Sequence, residues 1–281
     1  MANRRTQSLT IKKYSDGKFD FVSDSLAVEE PLEIQIEFGV KENRVRKSIS
    51  VTMRTPQHDA DLAIGFLFTE GIIASYEQIR SVGPNLDEDG KVNINAILVV
   101  LDFEVEVDLK KLERHFYTSS SCGVCGKSSI EAVKMNNFPA LPEDSPPFQI
   151  SKIHFFPTLL KTRQTVFEKT GGLHAAALFD NAGKLHLLRE DVGRHNAVDK
   201  LIGSALSSGL FPMTNFLIMV SGRVSFELVQ KSMMGGIPIL AAVGAPSSLA
   251  IQLAEEFGMT VLGFVKNDKF NIYSHAQRVV F

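Results

Sequence analysis

The chain has 281 residues, two cysteines, no tryptophan, and 30 basic against 32 acidic side chains, for a formal net charge of −2. Such a length is one large domain or two modest ones; 44% hydrophobic content suits a packed core rather than disorder, and a near-neutral balance offers no basic face for duplex DNA. Two cysteines cannot build a disulfide scaffold, and both fall in Cys122-Gly-Val-Cys125, a spacing that reads as redox, metal or catalytic chemistry.

In chain order, Met1–Tyr14 is basic and polar without an apolar core, unlike a secretory leader. No apolar run reaches the ~18–20 residues of a spanning helix, so a soluble, cytoplasmic protein without a membrane segment is expected. The polar segment to about residue 30 is expected to be loosely held. Leu32–Phe38 alternates as a half-buried strand, Lys41–Asn43 turns, and Arg44–Met53 returns as its partner. A helix follows, with Thr55 as N-cap, Pro56 at the first position and Gly71 at its end. Asn93–Asp108 reads as a further strand or strand pair. These elements predict a small α+β unit over residues 1–118.

Thr118–Gly126 holds four hydroxyl residues beside its cysteines and two glycines, the composition of a mobile surface loop. It is placed at the junction with a second unit, residues 119–281. There Ile150–Lys169 reads as a helix kinked or restarted at Pro157. Leu173–Phe179 and Lys184–Leu188 form a hairpin about Asp180–Gly183. Helices over His195–Leu206, Ser225–Met234 and Ser247–Phe257 then alternate with strands over Phe216–Val220, Ile237–Val243 and Thr260–Val265. Such alternation predicts parallel strands with right-handed crossovers in an α/β architecture.

Ligands of parallel sheets bind at the carboxyl ends of the strands. Three successive strands end in Ser221-Gly-Arg-Val-Ser225, Gly244-Ala-Pro-Ser-Ser248 and Lys266-Asn-Asp-Lys269. Serines at helix starts satisfy free N–H groups and leave an anion-friendly end. Arg223, Lys266 and Lys269 add positive charge, so a phosphorylated ligand fits this edge as well as plain capping does. His174 and His195 sit in polar stretches, Thr170–His174 and Glu190–Asn196, as ligand contacts or structural histidines. Asp191 and Asp199 read equally as a cap and a solvated position.

Three chemistries are open to Cys122 and Cys125. A structural zinc site takes four ligands, and with no nearby H-x-x-H a second subunit would have to complete it. Dithiol–disulfide exchange is helped by Lys127 and a following helix start, but the pair lacks the strand-first setting of thioredoxins. A sulfur relay needs a nucleophile with reach, which the Ser/Gly loop supplies. Inert buried thiols would sit among apolar neighbours, and these do not.

The stretches Phe66–Ile73, Ser120–Gly126, Thr170–Ala177, Glu190-Asp-Val-Gly-Arg-His-Asn-Ala-Val-Asp-Lys200, Ser221–Arg223 with Gln230–Ser232, and Gly263–Lys266 together resemble the formate dehydrogenase accessory sulfurtransferases, the FdhD/NarQ family. The resemblance runs from about residue 30 to the C-terminus. It implies a sulfur carrier that takes persulfide sulfur from a cysteine desulfurase and passes it to the bis-molybdopterin guanine dinucleotide molybdenum cofactor for a client formate dehydrogenase. It makes Cys122 the persulfide carrier and Cys125 its partner. Phe264, Val265, Lys266, Asn267, Asp268 and Lys269 become the guanine-dinucleotide stretch, beside Ser221, Arg223, Ser247, His174 and His195 in the pocket, where GDP-like nucleotides mimic the cofactor. It also implies a homodimer, no nucleic acid partner, and a C-terminal cytidine-deaminase-like three-layer domain with a mixed sheet. Zinc deamination itself is excluded: it needs H-x-E and P-C-x-x-C, and the chain offers His195-Asn-Ala197 and Ser221–Ser225 at those places. No bound zinc is expected. Two rivals keep the fold and change the chemistry: a cofactor-binding chaperone without sulfur relay, and a redox dithiol protein.

Overall fold

A computed structural model describes residues 5–86, 89–107, 138, 141–142 and 144–281. The expected unit boundary near residue 118 and the loop carrying Cys122 and Cys125 lie outside the described residues. Within them the chain is a mixed α/β protein with four sheets.

Strands β1 (Thr6–Ser15) and β2 (Lys18–Ala27) form an antiparallel hairpin, where the composition had suggested a loose segment. Asp16-Gly17 turns it, with both residues at positive φ (51° and 79°), the geometry that two-residue hairpin loops require and that an Asp-Gly pair supplies. The base is anchored by an ion pair between Arg5 and the buried Glu190 at 3.1 Å.

A four-stranded sheet follows, in the order β4 (Val45–Arg54), β3 (Glu30–Phe38), β6 (Val92–Leu101), β5 (Ile79–Leu86). The period-two pattern of β3 explains its packing: Leu32, Ile34, Ile36 and Phe38 are buried and the residues between them face outward. Helix α1 (Asp59–Thr69) starts three residues later than a cap at Thr55 implies, with His58 at the cap position in a left-handed conformation. Thr55 serves elsewhere. Its N–H donates to Asp191 (3.2 Å), its carbonyl accepts from Lys200 Nζ (2.7 Å), and its hydroxyl oxygen accepts from the N–H of Val192 (3.2 Å).

The C-terminal half opens with the short strand β7 (Phe148–Gln149), which pairs in parallel with β14 (Val279–Val280), and is built on a six-stranded sheet, β13 (Asn271–Ser274), β12 (Thr260–Gly263), β11 (Ile239–Ala242), β10 (Phe216–Val220), β8 (His174–Asp180), β9 (Leu185–Asp191). As the alternation of elements predicts, β10, β11 and β12 are parallel; β8, β9 and β13 run antiparallel to their neighbours. The expected helix over 150–169 is three short helices, α2 (Ile150–Ile153), α3 (Phe156–Arg163) and α4 (Phe167–Thr170). Pro157 lies in the first turn of α3, where its missing N–H costs nothing. On that face of the sheet, Phe156 of α3 stacks on Phe179 of β8 at 4.1 Å between centroids.

The other face carries α5 (Arg194–Ser207), α6 (Phe226–Met234) and α7 (Ser248–Glu256). One continuous core joins this layer to the N-terminal sheet through α1, with Leu32, Ile34, Leu67, Val198, Ile202 and Ile218 in the same buried cluster. The α1–α5 crossing is glycine on glycine. A Cβ on Gly65 would overlap the Asp199 carbonyl oxygen, and one on Gly203 would overlap that of Asp61. No described helix is long and apolar enough to cross a membrane.

Candidate functional site

The polar motif from Glu190 to Lys200 folds inward. Glu190 accepts from the N–H groups of Val166 (3.3 Å) and Phe167 (3.0 Å) at the start of α4. Asp191, fully buried, pairs with Lys200 at 2.6 Å and accepts from Thr55, Gly193 and Asn196. Burial holds Lys200 below the usual lysine range, with Asp191 opposing it. Asp199 is not solvated: Lys231 lies 3.0 Å from it and Thr69 donates to it at 2.8 Å. Burial disfavours the Lys231 ammonium, but Asp199 and Glu70 outweigh burial and hold it above its usual range. The two aspartates are therefore interior ion-pair partners that lock α5 to the N-terminal sheet and α1.

The strand-edge loops do meet at the carboxyl end of the parallel strands. Gly244 N–H donates to the Gly222 carbonyl (3.1 Å), and Phe264 N–H to the Gly244 carbonyl (3.1 Å). The close approach excludes side chains: a Cβ on Gly244 would stand 2.9 Å from Gly222 O, and one on Gly263 2.9 Å from Pro246 Cδ. Phe264 leaves β12 at φ 54° and is 42% exposed. Lys266 N–H donates to the Lys269 carbonyl (2.8 Å), closing the last loop.

An open cleft of about 560 Å³ lies against this edge, lined by Val243, Val265, Lys266, Asn267 and Asp268 and by Pro157, Thr158, Lys161 and Thr162 of α3. Thr158 Oγ1 donates to Asn267 Oδ1 at 2.9 Å. Lys161 and Lys266 give the cleft positive charge, and its floor is apolar, a combination that suits an anionic ligand with a flat hydrophobic part. The contribution of α3 was not read from the sequence, although Thr158, Lys161 and Thr162 stand at i, i+3 and i+4 on one helical face.

The remaining expected residues divide. Ser221 Oγ accepts from Ala175 N–H (2.9 Å) and ties β10 to β8; Ser247 caps α7 by accepting from Ala250. Both serve the backbone. Val265 is fully buried, whereas Arg223 and Lys269 are exposed. His174 and His195 lie together at the next corner of the edge, where β8 begins and α5 starts. Cys122 and Cys125 lie outside the described residues. Among the described residues no group of three His, Cys, Asp or Glu side chains could hold a metal ion.

The sequence profile of the FdhD/NarQ family matches residues 27–280. The chain belongs to this family. Among curated members, the sulfur carrier protein FdhD of Mycolicibacterium paratuberculosis is 46% identical over 258 residues, covering 91% of this chain and 92% of that one. That of Thermoplasma volcanium is 39% identical over 279 residues, covering 99% and 97%. A crystal structure from Desulfotalea psychrophila, of a protein assigned as a formate dehydrogenase accessory protein, aligns with a TM-score of 0.74 at 25% identity, covering 98% of this chain and all of that one. The family match takes in the buried Glu190–Lys200 motif, both cysteines and all three strand-edge loops, and leaves out most of the β1–β2 hairpin.

Proposed function

We propose that this FdhD/NarQ member is a sulfur carrier for formate dehydrogenase maturation. Cys122 receives sulfur as a persulfide from a cysteine desulfurase, with Cys125 as its partner, and delivers it to the bis-molybdopterin guanine dinucleotide molybdenum cofactor. The cofactor is substrate here. The observation that carries the reading is the sulfur-carrier assignment of relatives matched across more than nine-tenths of this chain. The cleft beside Lys161 and Lys266 supports it, having the size and charge for a guanine nucleotide end. Phe264, exposed at the strand end, is placed to stack on a base. The C-terminal half, a mixed sheet with helices on both faces, is read as a cytidine-deaminase-like three-layer unit, and the active species as a cytoplasmic homodimer.

The reading predicts that cells lacking their own carrier regain formate dehydrogenase activity with this chain and lose it again with Cys122→Ala. The double variant Lys161→Ala/Lys266→Ala should fold normally, both side chains reaching solvent in the cleft, and should bind GDP about tenfold more weakly, a loss of about 1.4 kcal/mol. Activity restored equally by Cys122→Ala would remove the relay; unchanged GDP affinity would move the nucleotide out of the cleft.

A further inference from the structure

The hairpin of β1 and β2 stands apart from the sheets that form the core. It is a sheet of two strands, so the outer edge of each has no neighbouring strand among the described residues. Only its base is anchored, by Arg5 on Glu190. Toward the turn its side chains lie in water: Phe21 is 77% exposed, Tyr14 63% and Phe19 62%. The Tyr14 and Phe19 rings meet at 5.1 Å between centroids, and the Lys12 ammonium lies 4.5 Å from the centre of Phe19. A long unpaired edge with apolar side chains is a template for pairing with another chain.

The two edges differ in charge. Strand β1 carries Lys12 and Lys13 and no acid, so a copy of itself laid antiparallel along that edge brings no opposite charge. Strand β2 carries Lys18, Asp20 and Asp24. Within the hairpin Asp20 stands opposite Lys13, but Lys18 and Asp24 stand opposite Ser15 and Leu9. These two exposed charges are left unmatched across the ladder. The two-residue turn also fixes which backbone groups face outward: Phe19, Phe21, Ser23 and Ser25 turn N–H and C=O away from β1. The hydrogen bonds agree. Ser25 N–H donates to the Asp24 side chain (2.8 Å), whereas Val28 N–H, of the other parity, donates inward to the Arg5 carbonyl (3.0 Å).

A two-fold axis at Phe21 sets Phe21 against the partner's Phe21, Phe19 against the partner's Ser23, and Lys18 against the partner's Asp24. By symmetry the last pairing occurs twice, matching both charges left over in each hairpin. Neighbouring positions of the axis fail. At Asp20 that carboxylate meets its own copy, and Asp16 meets the partner's Asp24. At Val22, Asp20 meets the partner's Asp24. Like charges directly opposite one another are destabilising. Lys12, Lys13 and Lys18 are offset by Asp16, Asp20 and Asp24, so the hairpin has no net charge to draw it to a polyanion or an anionic surface.

We propose that the β2 edges of two copies of this chain join antiparallel about Phe21 and make one four-stranded sheet across the two-fold axis. Tyr14, Phe19 and Phe21 of each hairpin share a face, and their row continues from one copy into the next. This rests on the homodimer of the proposed function and assigns it a surface, which lies ahead of all but the last residue of β2 in the family match.

The test follows self-association by sedimentation velocity over a concentration series, on the wild type, Lys18→Asp, Asp24→Lys and the double exchange. Each single exchange sets like charges opposite at both ends of the joined edge and is expected to weaken the dimer about tenfold. The double exchange is expected to restore it. Both positions are exposed, so the hairpin itself should keep its fold. In parallel, hydrogen exchange of the Phe19, Phe21 and Ser23 amides should slow as concentration rises, because pairing covers N–H groups that water reaches in a single chain. Single exchanges that associate like the wild type, or a double exchange no better than the singles, would overturn the pairing. A dimer whose three amides exchange equally fast at every concentration would overturn the hairpin and leave the homodimer on another surface; a chain monomeric throughout would overturn both. Protection of these amides by vesicles of phosphatidylcholine and phosphatidylglycerol, without self-association, would give the aromatic row to a membrane instead. Failure of the carrier reading is seen separately, in sulfur loading of the wild-type chain.

Discussion

Gly65→Ala and Gly203→Ala are each expected to destabilise the protein by about 2–3 kcal/mol, the upper part of the range for overpacking. Alanine in an exposed helix gains up to about 1 kcal/mol over glycine, so helix propensity alone predicts the opposite sign. Packing wins because the added methyl meets backbone. The Gly65 Cβ position coincides with the Asp199 carbonyl, and the Gly203 position with that of Asp61. No rotamer change relieves either overlap; α1 and α5 have to separate. Separation would also stretch Asp199 and Lys200 away from Thr69 and Thr55, the partners that α5 holds across the same interface. Thermal melting should fall by roughly 2–4 °C per kcal/mol for a large domain. A melting temperature equal to wild type in either variant would mean that the helices are farther apart than described.

Lys200→Met is expected to cost about 3 kcal/mol, because it leaves the Asp191 carboxylate buried without its cation. Asp191 keeps three other donors, Thr55, Gly193 and Asn196, which places the loss toward the lower end for a broken buried pair. Adding Asp191→Asn to Lys200→Met removes the stranded charge, so the double variant should recover part of the stability. Urea unfolding of the two single variants and the double supplies the coupling energy. Strictly additive losses would show that Asp191 and Lys200 do not act as a pair.

These predictions concern residues whose role the sequence made hard to see. The strands and helices of the C-terminal half were legible because their apolar runs are bounded by Gly, Pro and Ser, and the strand-edge loops followed from parallel topology. The hairpin at Asp16-Gly17 carried its turn signal in plain view, but its side chains are so exposed that composition resembled a loose tail. Asp191, Asp199, Lys200 and Lys231 defeat local reading for another reason. Asp199 and Lys200 on α5 and Lys231 on α6 sit where a helical charge ordinarily faces water, and Asp191 ends β9 where a cap is expected; only the tertiary contacts of α5 and α6 with the N-terminal layer show that all four face inward. The α3 wall of the cleft was missed likewise, since nothing local says that Thr158 and Lys161 will meet a loop more than a hundred residues later. Of the expected pocket residues, Ser221 and Ser247 proved to be tied to backbone, and capping chemistry is what their positions at helix starts and strand ends favour.

The buried motif and the open edge divide the labour of the chain. Ion pairs within the motif fix the start of α5, and that placement sets Arg194 and His195 beside His174. The loops after β10, β11 and β12 approach through Gly222, Gly244 and Gly263, leaving the edge low and accessible.

The most direct test of the carrier account is intact mass after incubation with a cysteine desulfurase and cysteine. The wild-type chain should gain about 32 Da, one sulfur as a persulfide, lost on reduction and absent in Cys122→Ala. A chain that stays at its original mass while a control acceptor is loaded, or an adduct undiminished in Cys122→Ala, would contradict the account.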